Sequence, residues 1–177
     1  IHERLVGSEM CIRDRDMTGL QTVERSDTIS LAALTEEVFC DLDPVADKHQ
    51  IRLIQTEGDC TVTGSYILLY RAVYNLVENA IKYNRPSGSV TVSIHSAESA
   101  VLEVTDTGIG ISPENQEKIF DPFYRVDKSR SRAMGGAGLG LALVSEIARQ
   151  HNGQVKVTQS SEKGSTIALI LPESTDY

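Results

Sequence analysis

Cysteine is scarce in this chain of 177 residues: Cys11, Cys40 and Cys60 are the only three. Odd in number and far apart, they form neither a zinc-ligand pattern nor a disulfide framework, which points to a reducing compartment. Long hydrophobic runs are missing too. No stretch approaches the roughly 20 apolar residues that cross a bilayer, and the N-terminus has no signal-peptide core, so the chain is expected to be soluble and cytoplasmic. It can still be a piece of a larger membrane protein. Basic charge is in the minority, with 17 Lys and Arg against 25 Asp and Glu and a net charge of -8. That balance argues against non-specific binding to nucleic acid or to an anionic membrane. Internal repeats are absent as well, and the length suits one domain with a sizeable core.

Residues 1–26 show neither helical nor strand period and read as a tail, which leaves 27–177 as the folded domain. From Ser30, Leu31, Leu34, Val38 and Leu42 recur at helical spacing, and Pro44 is expected to end that helix. "IRLIQT" and "CTVTG" read as short strands around the turn Glu57-Gly58-Asp59. The longest helical pattern covers 65–83 and stops before "NRPSG". "SVTVSIHS" and "AVLEVTD" alternate as strands, and Pro113 opens a predicted short helix to about Phe120. A polar, basic loop of unusual length fills 121–137; loops of that length in a compact domain are usually functional or disordered. A last helix over 139–151 and a hairpin of "QVKVTQS" with "STIALILP" close the chain. This order predicts an α+β fold, a two-layer sandwich with helices on one face of a mixed, mostly antiparallel sheet.

Three features carry candidate chemistry. "GGAGLGLALV" at 135–144 is rich in glycine just before a helix, which suits either a flexible turn or amide groups contacting phosphate. Its spacing fits neither the dinucleotide fingerprint nor a P-loop, because no strand precedes it and no Lys followed by Ser or Thr closes it. On the long helix Arg71, Asn75, Glu78, Asn79 and Lys82 share one face, with Leu69, Val73, Leu76 and Ala80 opposite. Such a face is either plain solvated surface or a place where amide oxygens ligate a hard cation such as magnesium and an ammonium meets phosphate. Asp106 ends an apolar strand directly before Thr107, Gly108, Ile109 and Gly110. It reads as an Asx-turn residue or as an acceptor for an amino group on a planar ligand.

Taken together, "NLVENAIKYN", "DTGIG", "FDPFYR", "GGAGLGLALV" and "GST" resemble, in order and spacing, the N, G1, F, G2 and G3 boxes of the sensor histidine kinase catalytic and ATP-binding domain. The resemblance covers about Ser30 to Pro172 and extends to the wider group of gyrase, heat-shock chaperone and mismatch-repair ATPases. It implies a Bergerat-type ATP-binding fold, with ATP and Mg2+ as cofactors. Asn75 and Asn79 resemble the polar N-box pair, Asn79 being the implied metal ligand, Lys82 reaching phosphate and Tyr83 lying against adenine. Asp106 resembles the residue that receives the adenine amino group, with Gly108 and Gly110 lining the base pocket. Phe120, Phe123, Tyr124 and Arg125 resemble the F box, and the residues up to Ala137 the ATP lid, in which the resemblance implies that Arg125, Lys128, Arg130 and Arg132 meet phosphates. Gly136, Gly138, Leu139 and Gly140 resemble the lid's hinge and the start of the next helix, and Thr166 is expected near the adenine or its bridging water.

The resemblance also says what the chain lacks. A histidine kinase transfers the γ-phosphoryl to a histidine on a dimerisation hairpin, from which a response regulator is served, and no H-E-L-R-T-P-L context occurs here. His2, His49, His95 and His151 all sit in other settings, so the acceptor is expected on a separate domain and the isolated chain is not expected to label itself. Asn75 and Lys82 are the only catalytic candidates. The fold group's hydrolases place a general-base Glu where Asn75 stands, and an amide cannot take a proton from water. An anti-sigma-type serine kinase and a degenerate binding module share the fold, yet every box is present. Residues 1–15 fit no usual approach to such a domain and are expected to be foreign to it.

Overall fold

The computed structural model of the chain describes residues 2–3, 27–124 and 140–175. Its elements run β1 (His2–Glu3), β2 (Asp27–Ser30), α1 (Leu31–Lys48), β3 (Arg52–Gln55), β4 (Thr61–Gly64), α2 (Tyr66–Lys82), β5 (Ser89–Ala97), β6 (Ser99–Asp106), α3 (Gly140–Gln150), β7 (Gln154–Ser161) and β8 (Gly164–Leu171). The main sheet has the order β1-β3-β5-β6-β8-β7. Its β3–β5 pair is parallel and its other pairs are antiparallel. Alternation along the central strands sends Val90, Val92 and Ile94, Ala100, Leu102 and Val104, and Ile167, Leu169 and Leu171 into one core with the buried faces of the helices. That is the α+β sandwich predicted above.

α1 begins where Ser30 caps it, its side chain accepting from the Ala33 amide at 3.1 Å while Asp59 accepts from the Ala32 amide at 2.9 Å. Leu31, Leu34, Val38, Phe39 and Leu42 of this helix are wholly buried. Pro44 does not end it. The helix continues to Lys48 with Pro44 inside, because the proline lies on the exposed side while Leu42 and Ala46 flank it in the core. Burial on both sides outweighs one missing amide donor.

Three other expectations change. β2, with Ile29 buried, falls at the very start of the expected domain and pairs with β4 in a small second sheet that alternation over four residues did not reveal. His2–Glu3, inside the expected tail, pairs with β3, whose outer edge otherwise presents unpaired backbone groups. The predicted helix after Pro113 is two 3-10 turns, Pro113–Asn115 and Lys118–Phe120. Ile119 is the one buried residue between them, too little to repay an α-helical nucleus.

Candidate functional site

The site forms where the C-terminal end of α2, the end of β6 and the start of β8 converge. α2 is fixed at its start by Ser65, whose hydroxyl accepts from the Leu68 amide at 3.4 Å and whose own amide donates to His151 Nε2 at 3.1 Å. Helical periodicity then divides its residues as the sequence predicts. Leu69, Val73, Leu76 and Ala80 are buried, while Arg71, Asn75, Glu78, Asn79 and Lys82 are all partly exposed along the other face. The Lys82 ammonium rests 3.4 Å from Glu78, one turn back. Gly140, first residue of α3, lies directly over Asn75, with 3.5 Å between its Cβ direction and Asn75 Oδ1. The glycine-rich segment therefore ends against the polar face of α2.

Asp106 ends β6 on the helix side of the sheet, because it shares the alternation of Leu102 and Val104. Its Oδ1 accepts from the Gly108 amide at 2.9 Å and the Ser165 amide at 3.3 Å, and its Oδ2 from the Ser165 hydroxyl at 2.9 Å. The first of these bonds is an Asx turn, one of the two readings the sequence offers for Asp106. Burial raises its pKa above the usual aspartate value, against the lowering effect of the bonds from Gly108 and Ser165. A carboxylate with one donor on Oδ2 keeps acceptor capacity there for an amino group.

Glycine shapes the space beside it. A Cβ at Gly108 would stand 2.3 Å from the Tyr83 carbonyl oxygen, and Gly110, at φ +76, would place one 2.0 Å from the carbonyl oxygen of Ser161. Tyr83 itself is the C-cap residue of α2 and is half-buried beside this turn. Glycine at both positions is what lets the Tyr83 and Ser161 backbone pack this closely against the turn after Asp106.

Thr166 is placed differently from its expected role. Its hydroxyl pairs with that of Thr105 at 2.9 Å, and the alternation that sends Asp106 toward the helices sends both threonines to the other face of the sheet. Ser165 is the residue that reaches Asp106. Adjacent hydroxyl residues in "GST" made that distinction invisible until strand register was known. Asn84 is a second residue the sequence did not single out; buried, it accepts from Thr107 and joins the end of α2 to the turn after Asp106.

Tyr124 is hydrogen-bonded through its hydroxyl to Asn115. Arg125, Lys128, Gly136, Gly138 and Leu139, with most of the predicted lid, lie outside the described residues. Among the described residues no three His, Cys, Asp or Glu side chains come together as a metal site, and none of the helices is long and apolar enough to cross a membrane. This face carries oxygen donors of the kind hard cations take, the amides of Asn75 and Asn79 and the carboxylate of Glu78. Surface clefts of about 610 and 280 Å³ open at the other end of the sheet, around Pro172–Thr175, and share no residue with this site.

The family model described as "Histidine kinase-, DNA gyrase B-, and HSP90-like ATPase" matches residues 64–175, a span that contains every described part of the site. The sensor-like histidine kinase SenX3 of Mycolicibacterium smegmatis is 38% identical over 167 residues, covering 91% of this chain and 43% of that protein. The sensor histidine kinase RppB of Synechocystis is 44% identical over 140 residues, 78% of this chain and 30% of that protein. The chain thus spans less than half the length of these relatives. The solved structure of the mycobacterial sensor histidine kinase MprB superimposes with a TM-score of 0.72 at 28% identity, covering 85% of this chain and 99% of that one.

Proposed function

The chain belongs to the histidine kinase-, DNA gyrase B- and HSP90-like ATPase family, as an ATPase domain of the sensor histidine kinase type, and on that premise we propose how it holds ATP and what it does with it. The observation that carries the reading is Asp106, half-buried at a strand end and held by three donors with acceptor capacity left at Oδ2. Asp106 receives the adenine amino group, Gly108 and Gly110 admit the ring, and Tyr83 lies against it. Ser165 takes the role first expected of Thr166, because its hydroxyl is the one on Asp106.

The phosphates then run along α2 toward the start of α3. Asn75 and Asn79 offer amide oxygens, Asn79 to magnesium, and Lys82 leaves Glu78 to meet a phosphate oxygen. Magnesium, when bound, neutralises charge on the phosphates. Free amides at the N-terminus of α3 favour the triphosphate, and Arg125, Lys128, Gly136, Gly138 and Leu139 follow from their boxes as lid and hinge.

The domain donates the γ-phosphoryl to a histidine on a dimerisation hairpin of the parent kinase, for onward transfer to a response regulator. No glutamate stands at Asn75 to activate water, which favours transfer over hydrolysis. Incubation with labelled ATP tests this. The chain alone stays unlabelled, and adding the parent kinase's hairpin domain yields acid-labile phosphohistidine on that partner. Acid-stable phosphoserine, or rapid release of phosphate without a partner, would overturn the reading.

A further inference from the structure

The two halves of the proposed site lie on different elements, the base-accepting turn after β6 and the phosphate-facing side of α2. Between them is a compact polar knot. Asn84, two residues beyond α2 and 8% exposed, accepts at Oδ1 from the Arg85 amide at 2.8 Å and from the Thr107 hydroxyl at 2.9 Å. Its Nδ2 donates to the Ser89 carbonyl at 2.9 Å, and the Ser89 amide donates back to Thr107 Oγ1 at 2.9 Å. Every polar atom in the ring thus has a partner. Space around it is equally committed, since a Cβ at Gly88 would stand 2.4 Å from Asn84 Oδ1 and 2.5 Å from Thr107 Oγ1.

Thr107 sits between Asp106 and Gly108, so whatever fixes its hydroxyl fixes the turn that carries the carboxylate. Asn84 directly follows Tyr83, whose carbonyl oxygen sets the ceiling over Gly108. The knot is a side-chain bridge between the end of α2 and that turn. Building on the ATP reading above, we propose that Asn84 and Thr107 are positioning residues that align the purine-accepting turn with the phosphate-binding helix, so that one nucleotide engages both halves at once.

Joined half-sites act with an effective concentration set by how well their spacing is fixed, so loosening the knot costs the whole nucleotide more than either piece. Thr107→Val keeps the side chain's shape and removes the hydroxyl. The expected result is about a tenfold loss of affinity for a non-hydrolysable ATP analogue with magnesium, with affinity for adenosine, read by NMR titration, changing less than twofold. Thr107→Ser restores the hydroxyl and the affinity. Thermal melting of each variant reports whether it folds, and Thr107→Ala serves in place of the valine variant if that one does not.

Equal losses for adenosine and the analogue would overturn the proposal, as would no loss for either or failure of both replacements to fold. A wild-type chain that binds no analogue would instead remove the ATP reading on which this rests. Wild-type binding with an unaffected valine variant removes only the alignment role.

Discussion

At the scale of single residues, Asp106 decides most. Burial raises its pKa, so the folded chain holds that proton more tightly than the unfolded one. Between the ordinary aspartate value and the raised one, stability therefore falls as pH rises, and the cost persists above that window. Binding runs the other way, because the adenine amino group needs the ionised acceptor. Affinity for an ATP analogue should drop on acidification at a pH above that where an ordinary aspartate titrates, and Asp106→Asn should remove that step; isothermal titration across acidic pH reads both. Gly108 gives a steric counterpart. Gly108→Ala drives a methyl to within 2.3 Å of the Tyr83 carbonyl oxygen, and melting should show a loss of about 1–3 kcal/mol with weaker nucleotide binding. Asp106 and Gly108 were legible in the sequence because strand end and glycine turn adjoin each other. Ser165 was not, since choosing between it and Thr166 needs the register of β8 against β6.

At the scale of elements, α2 was read almost whole, its polar and buried faces separating at helical period over 17 residues. Its start shows what the pattern alone omits. Ser65 is wholly buried, caps the helix and donates through its amide to His151 at the end of α3, so it ties α2 to the helix that follows the glycine run. Ser65→Ala should cost about 1 kcal/mol through the lost cap, since the amide bond to His151 survives the change; denaturant unfolding measures it. α1 shows the opposite error of sequence reading. Pro44 carries a strong local stop signal, and core burial of Leu42 and Ala46 overrides it. The 3-10 turns after Pro113 fail the other way, a helical start with only Ile119 to bury.

At the scale of the whole molecule, the two-layer sandwich places three sequence-distant segments at one end of the sheet: the end of α2, the turn after β6 and the start of β8. Box order in the sequence announced that convergence, while the β2–β4 sheet and the Asn84–Thr107 knot emerged only from side chains meeting in space. The −8 net charge also frames the site, because an acidic chain must gather its basic groups locally to hold a triphosphate. The central claim is that Asp106 reads the adenine amino group within that assembly. Calorimetric titration of the wild-type chain and Asp106→Asn, with a non-hydrolysable ATP analogue and its inosine counterpart in the presence of magnesium, tests it most directly. The account predicts one site, a preference for adenine over inosine in the wild type, and loss of about 1–3 kcal/mol of adenine binding with loss of that preference in the variant. Equal affinity of the wild-type chain for both nucleotides, or an adenine preference that survives Asp106→Asn, would contradict it.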